Sequence, residues 1–392
     1  MVKTIFKKST YLSFKGVFFI TVSILVLSSC GGSSSSSVKT VIMDGVFKDS
    51  NVSGLAYISA DESGITNKNG QFSYEEGKNV AFSIGKLELG SGLGQPIMTP
   101  LDLVNNGSLK SAKVINKVRF LMMLDKDNKP SNGIEISSEV QEKAENWGQI
   151  DFTSLGFPTE NVHSIITEAS VADMTVHVLP DAETATTHLK TTLFCANAGA
   201  FVGSYSGSES GNIVLAINPI TGEVFGSSFN SDNEVSVEVK STKALDYDEG
   251  LAFTSKEDSA KEFSGLLSSV NELRGTWVDS TNNLNSGSFT GTRHGGEADA
   301  VYRYTVAFAG TDKGIFTFDV DKNKDVTGVV YSVSTKKETE LSGEISGNKL
   351  TVTTEDGNEI TGFIVEDTLA ISGVWIKGIE NGNFAGGGCK LN

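Results

Sequence analysis

Only 6 prolines, 4 histidines, 3 cysteines and 3 tryptophans occur in 392 residues, and each scarcity excludes something. Few prolines beside 42 glycines and 22 phenylalanines argue against a disordered polymer and for many tight turns between short strands. The histidines, His163, His177, His188 and His294, fall in no H-E-x-x-H pattern. There is also no C-x-x-C, no G-x-S-x-G and no P-loop, so a metalloenzyme or triad hydrolase is not supported and no catalytic residue is assigned. Basic residues are also short, 32 against 48 acidic ones, giving a formal net charge of −16. A surface this negative repels phosphate backbones and anionic headgroups, which excludes nucleic acid as a natural partner. The apolar run Val17 to Leu27 is too short to span a bilayer permanently.

What is present begins with an export signal. Residues 1–30 hold Lys3, Lys7, Lys8 and Lys15, no acidic residue, the apolar run, and small residues ahead of a cleavage point. Removing them shifts the formal charge from −16 to −20. The run Leu27-Ser28-Ser29-Cys30 resembles the lipobox of bacterial lipoproteins. That resemblance implies lipidation of the Cys30 sulfur, which becomes the new N-terminus; the alternative is an ordinary signal peptide with an incidental cysteine. Several acyl chains, each buried methylene adding roughly 0.8 kcal/mol, make the membrane anchor effectively permanent. Gly31 stands where lipoproteins retained in the inner membrane often carry Asp, so the resemblance implies the outer membrane, at the cell surface or its periplasmic face. Residues 31–37 read as a Gly/Ser tether. In an oxidising compartment Cys195 and Cys389 are expected to form a disulfide, the alternative being two unpaired buried thiols. The chain-entropy model gives a loop this long an upper limit of about 5 kcal/mol.

The chain beyond the tether is expected to be mainly β, with a β-sandwich over 38–107, a helical segment over 108–196, and a duplicated antiparallel module, sandwich or meander barrel, over 197–296 and 297–392. Strands are predicted at Val52–Ser59, Gln71–Tyr74, Val80–Ile84 and Lys86–Leu89, with Asn69-Gly70 as a tight hairpin. The run Thr66 to Tyr74 resembles the T-D-x-x-G-x-F motif of carboxypeptidase regulatory-like, transthyretin-like sandwiches, with Asn67 replacing the Asp. The wider block from Val52 to Leu103 is similar to a segment repeated in bacterial surface lipoproteins and adhesins. The resemblance implies a non-catalytic spacer or binding module. Val114, Val118, Leu121 and Met122 make one helical stripe; Ser138 with Gln141 reads as a capping box; Asp181 reads as the N-cap of a helix striped by Ala182, Ala185, Leu189 and Leu193.

The second half repeats itself. Phe201-Val202-Gly203 matches Phe308-Ala309-Gly310, Val224-Phe225-Gly226 matches Val326-Thr327-Gly328, and Phe263-Ser264-Gly265 matches Ile360-Thr361-Gly362. The segment around Trp277 matches that around Trp375, and Gly287 to Gly291 matches Gly382 to Gly386. Each copy holds about eight short strands. A period of two puts Leu273, Gly275 and Trp277 on one face, so both tryptophans are expected in cores, with Gly275 clearing room beside the indole.

One acidic run resembles the start of an EF-hand or dockerin-type calcium loop: Asp319, Asp321, Asn323 and Asp325 at alternate positions. Lys324 holds the glycine position and Val330 that of the bidentate Glu, so a polar turn is preferred and no cofactor is assigned beyond this calcium candidate. His294 is expected in an exposed glycine-rich link. The expectation for function is a lipid-anchored, surface-directed, non-enzymatic binding or adhesion module for an extracellular ligand. The alternatives are a periplasm-facing structural or assembly lipoprotein beside an envelope protein and, less favoured, a carbohydrate-active enzyme.

Overall fold

The computed structural model describes residues 40–154, 156–231, 236–241, 245, 251–255, 261–269, 272–294 and 300–391, except the side chains of 237, 251–255, 266–269 and 283. The expected signal peptide, Cys30 and the 31–37 tether lie outside the described residues. The described chain is mainly β.

Two small sheets open the chain, beside a parallel pair of two-residue strands, β2 (Val52–Ser53) and β9 (Ile134–Glu135). The first pairs β5 (Gln71–Glu75) with β1 (Ile42–Phe47) and β8 (Ile97–Met98); the second runs β4 (Glu62–Ile65), β3 (Ala56–Ser59), β6 (Asn79–Ile84), β7 (Leu87–Leu93). Alternation puts Phe72 and Tyr74 of β5, and Val80, Phe82 and Ile84 of β6, inside. The Phe72 and Phe82 rings meet edge-on at 5.1 Å, and Phe47 lies 4.7 Å from Phe82, so rings from both sheets share one core. Asn69-Gly70 does not close a hairpin between paired strands. The Asn67 side chain accepts from the backbone N–H of Asn69 and Gln71, Gly70 takes φ +73°, and the chain passes from one sheet to the other. Asx chemistry sets a turn, whereas which strands it joins is a tertiary matter.

Four helices pack on these sheets: α1 (Ala112–Met123), α2 (Ser138–Ala144), α3 (Glu160–Asp173) and α4 (Ala182–Asn197). The stripe Val114, Val118, Leu121 and Met122 is buried, in one core with Phe72, Phe82, Val140, Ile165 and Leu189. Asp181 caps α4, its carboxylate accepting from Thr184 N–H at 2.7 Å. The cap of α2 is Ser137 rather than Ser138: Ser137 holds the extended φ/ψ and accepts from Val140 N–H at 3.1 Å, while Gln141 donates to the Ile136 carbonyl. Helix α3 was not predicted. It buries Val162, Ile165 and Ala169, but Ser, Thr and Glu interrupt the stripe.

The second half forms two closed eight-stranded barrels, each a simple meander. The first is β10 (Gly199–Gly207), β11 (Gly211–Ile217), β12 (Val224–Asn230), β13 (Ser236–Ser241), β14 (Leu251–Ser255), β15 (Lys261–Ser269), β16 (Glu272–Asp279) and β17 (Asn282–His294). The second is β18 (Tyr302–Gly310), β19 (Gly314–Val320), β20 (Asp325–Ser332), β21 (Lys337–Ser346), β22 (Lys349–Thr354), β23 (Glu359–Val365), β24 (Ala370–Lys377) and β25 (Glu380–Lys390). In each the last strand pairs antiparallel with the first, which leaves no open edge.

Both tryptophans are core residues, Trp277 at 1% and Trp375 at 4% exposure. Each indole N–H donates to a carbonyl of its barrel's first strand, Ser206 at 3.1 Å and Ala309 at 3.3 Å. Tyr205 meets Trp277 edge-on as Phe308 meets Trp375, at 5.8 and 5.7 Å. The structural partner of Phe308-Ala309-Gly310 is therefore Tyr205-Ser206-Gly207, not Phe201-Val202-Gly203, because an aromatic-x-Gly triplet occurs twice in β10 and only the indole bond selects the register. The glycines making room for the indoles are Gly287 and Gly382, where a Cβ would sit 2.6 and 2.4 Å from the ring nitrogen. Gly275 and Gly373 instead lie against Phe289 and Phe384.

The barrels keep separate cores and touch through a small apolar cluster. Ala200, Val214 and Ala216 of the first meet Ile315, Tyr331 and Val333 of the second.

Candidate functional site

The two C-terminal cysteines are joined. Cys195 at the end of α4 bonds Cys389 in β25, Cα to Cα 5.6 Å, so the strand that closes the second barrel is tied to the helix that precedes the first.

The calcium-like run is not gathered around a point. Asp319 is buried in β19 and receives two bonds from the Arg303 guanidinium, both 2.8 Å. Asp321 accepts from the N–H groups of Asn323 and Asp325, both 2.8 Å, and from the Asn323 amide at 3.0 Å. Lys324 takes φ +73° between them. The oxygens thus serve an ion pair and a turn, and among the described residues no group of three metal-ligating side chains is present. Asp125 and Asp127, a weaker version of the same pattern, likewise accept from nearby backbone: Asp125 from Lys129 and Glu135, Asp127 from Lys129. Burial of Asp125 pushes its carboxyl up to about 6.

Two of the histidines, His177 and His294, hold parts of the fold together. His177 is buried, with Nδ1 2.6 Å from the Met123 carbonyl oxygen and Nε2 3.0 Å from Asp173. Asp173 also receives the Ser137 hydroxyl. Serine and histidine share the carboxylate rather than each other, and both ring nitrogens are engaged, so the cluster joins the cap of α2 to the end of α3 and has no nucleophile geometry. His294 is not in a loop. It ends β17, with Nδ1 2.8 Å from Glu338 of β21, linking one barrel to the other.

Two surfaces stand out. Between the barrels lies a crevice of about 400 Å³, walled by Val214, Phe225 and Ser227 on one side and Ala307, Ile315 and Tyr331 on the other. The second lies on the outer wall of the second barrel. Phe363 and Val365 of β23 and Val374 and Ile376 of β24 all point outward and are exposed. Val374 is paired with Thr361 and Phe363 with Ser372, which makes Phe363 and Val374 diagonal neighbours and the four side chains one oblique band. The band runs toward Ile379 in the following turn, 95% exposed. An antiparallel sheet that faces water normally alternates polar residues outward, so a contiguous apolar band is a candidate interaction surface. The composition pointed to no such band, because period-two alternation is lost only locally.

No protein-family model matches the chain, and no curated protein matches it. Among solved structures, kievitone hydratase from Nectria haematococca aligns at 9% identity over 49% of this chain and 88% of its own, with a TM-score of 0.19. A protein of unknown function from the DUF3598 family of Nostoc punctiforme aligns at 10% identity over 50% of this chain and 97% of its own, with a TM-score of 0.18. Likeness at that level carries no argument about this chain.

Proposed function

We propose that this protein is a lipid-anchored, surface-directed envelope protein whose second barrel serves as a non-catalytic binding or adhesion module for an extracellular partner. The observation that carries the reading is the exposed apolar band of Phe363, Val365, Val374 and Ile376 on an otherwise well-closed barrel. The Leu27-Ser28-Ser29-Cys30 lipobox supports the address, and the disulfide agrees with an oxidising compartment. A protein partner fits the band because interface cores are rich in aromatic and aliphatic side chains and poor in charge.

Protease shaving of intact cells tests the address: cleavage without opening the outer membrane is expected, and cleavage only after opening it removes the surface role. A photo-crosslinking residue at Val374 should capture a partner on intact cells, while the same residue at Thr276, the equivalent position of the first barrel, should not. Equal capture at both positions removes the band as the binding face.

A further inference from the structure

A second cavity, of about 540 Å³, opens where the turn after β1, the helix α4 and the ends of β18 and β25 come together. Lys48, Asn51, His188 and Arg303 line it, and the exposed Lys390 and Asp367 also face it.

Its buried ammonium is held by neutral groups. Lys48 is only 8% exposed, and its ammonium donates to the Asn51 amide oxygen and the Leu391 carbonyl, both neutral. No carboxylate among the described residues pairs with it; the adjacent Asp49 is turned to His188, 3.3 Å away. Arg303 is matched by Asp319, and Arg293, flanking the same backbone at Gly199, donates to the carbonyls of Ala196 and Ala198. Lys48, Arg303 and Lys390 share the recess with Asp367, beside Asp319 and Asp49, but Asp319 is taken by Arg303, Asp49 faces His188 and Asp367 is exposed. Burial, with Arg303 and Lys390 nearby, holds the Lys48 ammonium down at about 7. A buried cation with neutral partners costs several kcal/mol, which a bound anion removes.

We infer that this cavity binds a small oxyanion-bearing molecule, a carboxylate or a phosphate ester, with Lys48 and Lys390 taking its charged group and the Ser50, Thr187 and Thr191 side chains facing the remainder. The volume falls inside the roughly 300–1,000 Å³ range of small-molecule sites and exceeds what a bare inorganic ion fills.

The test is thermal unfolding of the full chain in detergent at pH 6 and constant ionic strength. Inorganic phosphate and citrate are titrated separately, and potassium chloride serves as the screening control. A saturable rise in Tm with phosphate or citrate, absent with chloride, is expected, and which of the two acts at lower concentration distinguishes phosphate from carboxylate recognition. Lys48→Met should weaken the apparent affinity at least about tenfold and Lys390→Gln, at an exposed position that leaves folding intact, about threefold, roughly 1.4 and 0.7 kcal/mol. No saturable shift with either anion, or a shift unchanged in both variants, overturns the site. If Lys48→Met fails to fold, Lys390→Gln alone decides: wild-type affinity there also overturns it.

Discussion

The two barrels share an inner framework and differ on their outer walls. Inside, the same parts recur: a tryptophan bonded to the first strand, an aromatic ring edge-on to it, and a glycine beneath the indole. Outside, equivalent positions have diverged. Ala200 faces Ala216 across β10 and β11, where the second barrel has Arg303 facing Asp319 across β18 and β19. Thr276 and Val278 occupy the wall where the second barrel exposes Val374 and Ile376. Inner positions are constrained by packing density and one hydrogen bond, so either copy must solve them in the same way. Outer positions answer only to what covers them, so the two copies are free to differ there.

Breaking the shared framework should have the largest effect. Trp277→Ala or Trp375→Ala should each cost about 3–5 kcal/mol, measured by urea denaturation with amide exchange to localise the loss to the mutated barrel. Loss spread equally over both barrels would mean that the copies are not independent frames. Next comes the outer pair. Arg303→Ala takes the guanidinium away from the buried Asp319 carboxylate and should cost about 3 kcal/mol, while Arg303→Ala with Asp319→Ala copies the alanine pair of the first barrel and should recover most of that loss. A double variant as unstable as the single one would show that the divergence is structural necessity rather than freedom.

A smaller effect is expected from Lys48. Its folded-state value near 7 lies below the ordinary lysine value of 10.5, so between these limits the unfolded chain binds more protons than the folded one. Stability should rise as pH rises from 7 toward 10.5, by about 1–2 kcal/mol after allowing for relaxation, and below 7 the full penalty remains. The charged groups around it are Arg303 and Lys390, with Asp49 held by His188. Lys48→Met should flatten that part of the profile. Smallest of all, Leu284→Asp, exposed near the start of β17, and Ile379→Asp, exposed in the turn before β25, should each change stability by less than about 0.5 kcal/mol. A larger loss at Ile379 alone would mean that its turn is packed against something in solution.

Much of this was legible from local pattern. The stripe of α1, the Asp181 cap, the eightfold strand count in each copy and the burial of both tryptophans follow from periodicity and turn chemistry, which act over a few residues. Helix α3 was missed because its apolar stripe is thin, and the cap of α2 was placed one residue late because two serines stand side by side. Lys48 drew no attention since a lone lysine after a strand reads as solvated. The apolar band escaped because each of its members is unremarkable in its own strand and only pairing sets them side by side.

The amino-acid sequence by itself determined the all-β bias, the duplication, the helices' faces and the cysteines available for pairing, because each of these is set by short-range periodicity, capping or residue type. Tertiary structure decided the rest. Alternation says which side of a strand a residue occupies, but closure of each barrel depends on its first and last strands meeting, and the burial of Arg303, Asp319 and Lys48 depends on neighbouring parts of the fold covering an outward face. Those are long-range contacts, and no local pattern encodes what lies on the far side of a wall.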